Sequence, residues 1–334
     1  MTFFNSHFEP GDKVLFIVIR AMGDALLATP LIRDFRAKCR DVKIDVIAQE
    51  LPAQALLGNS NIDALIISPP HGSSLGTYIK LYLQLRKTRY KLSIDLISTP
   101  GSALMSRVAN ASTRIGYKLR GRTWAFNIPV ERQTDSKYSA ETKYDLVKGF
   151  NIKMASPLPE IFPDTIHEKW AGDRLIELGV DSSKILIGIS PWSKREWRRW
   201  EIGSWVRLLN EIVKPAEHEL ILFGSRAERQ YLRQLEDLQD INVLWAGADH
   251  IQKVASLMEH CKFLLTADNG LKHVAVAVST PTFTIYTDFE GVSPQSWNPP
   301  DSEIHRYVIA HEDFDNRSEV VRSIANFIGN AIGK

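Results

Sequence analysis

The stretch VLFIVIRAMGDALLATPLIRDFR (14–36) runs apolar β-formers up to Arg20, then sets one glycine and one acid, Gly23-Asp24, before a helix-like segment. A turn between a buried strand and a helix is where nucleotide-binding domains hold phosphate. This turn lacks the further glycines of a dinucleotide loop and the Lys of a Walker A loop. A carboxylate there repels phosphate but suits a different task, taking a proton from an attacking hydroxyl. The residues leave two readings of Asp24 open: general base, or N-cap of the next helix. Thr29-Pro30 is a competing helix start, with Thr as cap and Pro in the first turn.

A second stretch, SPWSKREWRRW (190–200), packs four basic residues and three tryptophans into eleven positions. Lys194, Arg195, Arg198 and Arg199 could pair with a diphosphate, Arg in bidentate fashion. The plainer alternative is a surface loop anchored by its tryptophans, and Trp200, just before a helix, reads as packing. A third stretch, TADNGLKH (266–273), follows an apolar strand and opens a helix. Asn269 and Gly270 then sit where free N–H groups and the helix dipole attract anions, with Lys272 and His273 in the first turn. Asp268 is the natural N-cap, which is compatible with an anion site. FGSRAE (223–228) is a weaker strand–turn–helix junction. The chain has no HExxH, no GxSxG and no clustered His/Cys set. Asp313-Phe314-Asp315 precedes the last helix, away from any strand end, so no metal is expected there.

Those residues need a scaffold, and the apolar pattern supplies one. Short β-rich runs at 14–19, 43–49, 64–69 and 92–98 alternate with helix-like segments, with further short strands near 115–117 and 125–130. The alternation restarts at 185–190, 219–224, 242–247, 263–268 and 281–286, with helices near 201–214, 226–238 and 250–260. Buried strands alternating with helices predict parallel sheets. Residues 155–164 hold three prolines and no period, which marks a linker. The expectation is an N-terminal domain over 1–160 and a C-terminal domain over 161–317. Helix 318–332 carries an apolar stripe at helical spacing.

The 334 residues are 44% hydrophobic and 24% charged, ordinary for a globular protein. No apolar run reaches the ~18 residues of a membrane span. The opening MTFFNSHFEPGDK has neither a basic n-region nor a long apolar h-region. Cys39 and Cys261 lie far apart, so a reducing, cytoplasmic setting is expected. The net charge of +2 hides an asymmetry: residues 1–155 carry 22 Lys/Arg against 13 Asp/Glu, and the remainder 19 against 26. Residues 78–122 hold ten basic residues and a single acid, Asp95. A one-sided positive surface favours phosphate, nucleic acid or an acidic membrane face, or is simply solvated.

Taken together and in order, these blocks resemble glycosyltransferase family 9, the heptosyltransferases of the lipopolysaccharide inner core. VLFIVIRAMGDALLATPLIRDFR is similar to the family's opening strand, Gly-Asp turn and Thr-Pro helix. PWSKREWRRWEIGSWVRLL resembles its basic loop ending in Trp, LLTADNGLKHVAVAVSTPTFTIY its Asp-x-Gly-x-x-His block, and FGSRAERQYL its Gly-x-x-x-Glu turn. The resemblance implies an α/β protein of GT-B fold, two Rossmann-like doubly wound domains facing a central cleft, with the C-terminal helix packing back on the first. It implies inverting, metal-independent transfer of heptose from ADP-heptose, no cofactor, and Asp24 as base. It also implies Asp268, Gly270 and His273 in the donor block and Arg198 where a Lys usually approaches the diphosphate. The chain departs from the family at Asn269 (usually Thr), Lys272 (usually a small Ser), Arg198 (usually Lys) and the Ser190-Pro191-Trp192 run.

Donor binding is thus expected of Ser193, Lys194, Arg198, Asp268, Asn269, Gly270, Lys272 and His273. Arg20, Lys118, Arg120 and Arg122 are candidates for an anionic glycolipid acceptor, with peripheral contact at the cytoplasmic face of the inner membrane. No nucleic-acid-binding pattern is present, so no nucleic acid is expected as partner. Another nucleotide sugar, a protein acceptor, or a non-catalytic binder of anionic glycans or nucleotides stay open on the residues alone.

Overall fold

A computed structural model describes residues 8–133, 137–229, 235, 238, 241–290, 293–300, 303–311 and 317–332. The chain divides into two compact units, Met1–Phe162 and Pro163–Lys334.

The first unit is built on six strands: β1 (Lys13–Val18), β2 (Lys43–Ala48), β3 (Ala64–Ile67), β4 (Leu92–Asp95), β5 (Thr113–Tyr117) and β6 (Ile128–Val130). They pair in parallel throughout, in the order β3-β2-β1-β4-β5-β6. Its helices are α1 (Met22–Leu26), α2 (Thr29–Lys38), α3 (Glu50–Gln54), α4 (Leu75–Thr88), α5 (Pro100–Ala109) and α6 (Ser139–Thr142). VLFIV in β1 is fully buried because both faces of the sheet are covered. On one face Phe16 and Val18 pack with Leu31, Ile32 and Phe35 of α2. On the other, Leu15 and Ile17 pack with Leu81 and Leu85 of α4 and Met105 of α5.

The second unit repeats the plan. Strands β7 (Ile185–Ser190), β8 (His218–Leu222), β9 (Val243–Trp245), β10 (Phe263–Ala267), β11 (Thr282–Thr287) and β12 (His305–Ala310) form a parallel sheet in the order β12-β11-β10-β7-β8-β9. Its helices are α7 (Thr165–Glu177), α8 (Ile202–Ile212), α9 (Ile251–Glu259), α10 (Gly270–Ala277), α11 (Pro294–Trp297) and α12 (Arg317–Ile332). Eleven of these twelve strands fall on the apolar runs read from sequence. β12 does not: HRYVIA alternates buried with exposed residues at the sheet's edge, so its pattern is short and broken.

Val320, Ile324, Phe327 and Ile328 of α12 lie in the second unit's core, with Phe327 edge-on to Phe263 at 5.6 Å. One expectation changes here: Thr29 is the first helical residue of α2 and not its cap. Its Oγ1 donates to the Leu26 carbonyl at 2.7 Å and accepts from the Glu160 N–H at 2.8 Å, tying the proline-rich segment to α2. Most of the helix expected at 226–238, and the Asp313-Phe314-Asp315 string, lie outside the described residues.

Candidate functional site

In a parallel sheet every strand presents its carboxyl end at the same edge, and ligands bind there. In the first unit Arg20 follows β1 and the 118–122 loop follows β5, so both stand at that edge. Asp24 is the third residue of α1, in its first turn; the N-cap is Ala21, which makes no side-chain cap. Asp24 therefore does not cap a helix. Its side chain is half-buried, and among the described residues nothing hydrogen-bonds or ion-pairs with its carboxylate. Around it α1 is anchored by buried Gly23, Ala25 and Leu26, which fixes the backbone that carries the acid.

The negative charge of Asp24 acts on Lys143, a residue that sequence reasoning missed. Lys143 is buried, its ammonium donating to the Ser139 carbonyl at 3.3 Å. Burial pushes this ammonium down to about 8, opposed by the negative charge of Asp24. KYDLVKGF gives no hint, since a Lys in a short amphipathic segment normally reaches water. Of the acceptor candidates, Arg20 and Arg120 are exposed and Arg122 is half-buried. Lys118 pairs with Glu131 at 2.6 Å.

The second unit's edge is a dense polar cluster, because β7 and β10 are neighbours and their loops meet. Asn269 is the N-cap of α10, its Oδ1 accepting from the N–H groups of Leu271 and Lys272 at 2.9 and 3.3 Å. The same amide donates to the Trp192 carbonyl at 2.8 Å and to Ser190 Oγ at 3.0 Å. Asn269 thus clamps the basic loop to the helix start. Ser193 Oγ adds a bond to the Asp268 carbonyl at 2.9 Å. The cap is Asn269 and not Asp268, and two of the N–H groups expected to await an anion are taken by it.

Asp268 is buried and held from both sides. Lys272 Nζ meets its Oδ1 at 2.9 Å, and Arg198 Nη1 meets its Oδ2 at 2.8 Å. Burial alone would push Asp268 up, but the Lys272 and Arg198 charges outweigh it and hold the carboxyl below its ordinary range. Lys272 is fully buried, donates to Tyr286 OH at 2.7 Å, and lies 4.8 Å from that ring's centre. It was expected to reach a phosphate; in the structure it faces inward and orders Asp268. Tyr286 was missed. Its place follows from register, since Ala267 pairs with Ile285 and so brings Tyr286 beside Asp268.

Arg198 is the partly exposed cation of the cluster. Its guanidinium lies 5.7 Å from the Trp297 ring, and its buried Nε has no hydrogen-bond partner among the described residues. His273 is buried, 6.5 Å from the same ring. Lys194 is exposed. Trp192 and Trp200 belong to the core, while Trp197 is exposed and stacks with Arg195 and Phe289. One carboxylate among two close cations and an adjacent imidazole leaves a positive surplus, which suits a dianionic leaving group.

Comparison with known proteins bears on the family and the fold. Residues 78–318 match the profile of glycosyltransferase family 9 (heptosyltransferase). The chain is 26% identical over 313 residues to lipopolysaccharide heptosyltransferase 2 of Salmonella typhimurium, covering 89% of this chain and 87% of that one. The fold is similar to that of a family 9 glycosyl transferase from Veillonella parvula, with TM-score 0.81, 16% identity, and 95% and 90% of the two chains covered. It is also similar to E. coli ADP-heptose lipopolysaccharide heptosyltransferase II, with TM-score 0.71, 20% identity, and 93% and 99% covered. The fold is the α/β GT-B class.

Proposed function

The chain belongs to glycosyltransferase family 9 and is a glycosyltransferase, and we propose that it moves a heptose from ADP-heptose to a lipopolysaccharide core acceptor, with inversion and without a metal. The observation that carries this reading is Asp24, a half-buried carboxylate with no hydrogen bond or ion pair among the described residues, at the edge where ligands bind. The names of the relatives supply the substrate class.

On this reading Asp24 takes the proton of an acceptor hydroxyl. The freed oxygen bonds to the anomeric carbon from the side opposite the diphosphate, and the bond to the diphosphate breaks with its electron pair. One displacement inverts the centre. General-base help of this kind is worth ~10²–10⁴ in rate. The leaving diphosphate is stabilised by Arg198, Lys194 and the Gly270 N–H, whose charges are fixed before the reaction by the Asn269 clamp and the Asp268 pairings. The acceptor is an anionic glycolipid at the cytoplasmic face of the inner membrane, a reading supported by the net +9 of residues 1–155.

The test is transfer from ADP-heptose to a truncated core acceptor by wild type and by Asp24→Asn. We expect kcat to fall at least ~100-fold in the variant with donor affinity near wild type. Nearly unchanged turnover would remove Asp24 from the chemistry. A second reading, a nucleotide sugar other than ADP-heptose, has one observation behind it: Lys272 and Arg198 occupy both oxygens of Asp268. Melting the protein against a panel of nucleotide sugars separates the two, since only a ligand selective for the native state raises Tm.

A further inference from the structure

Helix α4 carries more apolar surface than the first unit buries. Leu81 and Leu85 are in the core, while Leu75, Ile79 and Leu83, one per turn, are 75%, 46% and 62% exposed. At 3.6 residues per turn the three lie within an arc of about 80°. Arg86 falls inside that arc, and Lys80 and Lys87 border it on the solvent side. All three are exposed, and the helix contains no acid. The neighbouring α5 adds exposed Leu104 and Arg107, and the turn packed against α5 adds Trp124, 56% exposed. The only acid of residues 78–122, Asp95, is wholly buried, so no carboxylate of that segment offsets the charge at the surface.

Isolated exposed leucines mean little, but a contiguous apolar row marks a contact surface. An apolar row edged by Lys and Arg is the signature of a helix that lies in a bilayer interface, where long basic side chains extend back to the headgroups. We propose that α4, with Leu104, Arg107 and Trp124, docks the protein on an anionic lipid bilayer. Charge complementarity selects this occupant: the row's borders are purely cationic. A nucleic acid would use the charges and leave Leu75, Ile79 and Leu83 without a role. Among the described residues no helix is long and apolar enough to cross a membrane, so the contact is peripheral. The inference deepens the function above, since a glycolipid acceptor resides in such a bilayer, and rests on that reading only for what the docked protein does.

Co-sedimentation of the full chain with vesicles tests it without turnover. We expect binding to vesicles of equimolar phosphatidylcholine and phosphatidylglycerol, none to pure phosphatidylcholine, and weakening as salt rises. The triple variant Leu75→Ser, Ile79→Ser, Leu83→Ser should bind at least ~10-fold more weakly. Lys80→Gln with Lys87→Gln should weaken binding and flatten its salt dependence. These side chains are exposed, so Tm should hold, and circular dichroism checks that. The proposal is overturned if anionic vesicles are not bound, or if the triple variant binds them as well as wild type. A dimer that the triple variant abolishes while lipid binding persists would also overturn it, as would binding to single-stranded nucleic acid alone. Vesicle binding with no transfer to any acceptor would sink the transferase reading and spare the surface.

Discussion

Asp24 and Asp268 stand at comparable points of two similar sheets, each past the carboxyl end of an interior strand, yet they are built in opposite ways. Asp268 is buried with a cation on each oxygen and a backbone fixed by Asn269 and Ser193. Asp24 is half-exposed, and its carboxylate has no hydrogen bond or ion pair among the described residues. An acid that must accept a proton loses that capacity when its lone pairs are committed. An acid that must organise positive charge gains from commitment. On the function proposed above, Asp268 would serve as scaffold and Asp24 as reagent.

Removing the scaffold should have the largest effect. Asp268→Asn leaves the fully buried Lys272 ammonium facing a neutral amide, and breaking a buried pair in this way costs ~3–5 kcal/mol. Urea unfolding measures it, and donor affinity should fall as well. Wild-type stability in that variant would mean that the pairing is ornamental. Asp24→Asn should do the reverse: stability near wild type, and the ~100-fold loss of kcat proposed above, about 2.7 kcal/mol of barrier. If instead Asp24→Asn unfolds easily and still turns over, the comparison is inverted.

How far the two sites were legible differs. The strand and turn that carry Asp24 could be read because their pattern is simple: an unbroken apolar run, a short turn, and no glycine pattern for phosphate. The sheets could be read for the same reason, since strands buried on both faces leave continuous apolar runs. The Asp268 cluster could not be apportioned. Asp268 and Asn269 are adjacent Asx residues, and only the direction of α10 decides which one caps it. Lys272 lies in a first helical turn, where sequence reads a phosphate ligand, yet α10 packs that face inward against Tyr286 of β11. Register across strands carries this information, and spacing along one segment does not. β12 was illegible for a related reason, since an edge strand's half-exposed pattern resembles a loop.

Lys272→Met sharpens the scaffold half of the comparison. The side chain keeps its length and loses its charge, so Asp268 keeps the Arg198 ion pair and the weaker influence of His273. We expect the donor KM to rise ~10-fold with kcat little changed, and Lys272→Arg to recover part of the loss. The pH dependence has a definite sign. Asp268 is held below its ordinary range in the folded state, so its stabilising contribution is present above the unfolded carboxyl pKa and is lost as pH falls below it. Removing Lys272 weakens that hold, so the variant should lose less stability than wild type on going from neutral pH to acid. An identical acid limb in both would show that Lys272 does not govern the charge on Asp268.

The smallest effect probes the other half, through Lys143, a buried ammonium on which the Asp24 charge acts. Burial holds this ammonium at about 8, against 10.5 for an ordinary lysine, and Asp24 opposes the shift. Between those values the unfolded chain binds more protons than the folded one, so stability rises with pH across that window. Below about 8 both states are protonated, and the cost of burying the charge is present in full. Lys143→Met removes both the cost and the slope. The variant should melt higher than wild type at pH 7, and the gap should narrow as pH climbs from about 8 toward 10.5. Differential scanning calorimetry across that range reads it directly. Turnover at pH 7 should change far less than in Asp24→Asn, because Lys143 donates to Ser139 and does not hold the carboxylate. If Lys143→Met abolishes turnover as thoroughly as Asp24→Asn, then Asp24 is half of a committed pair, and the contrast with Asp268 disappears.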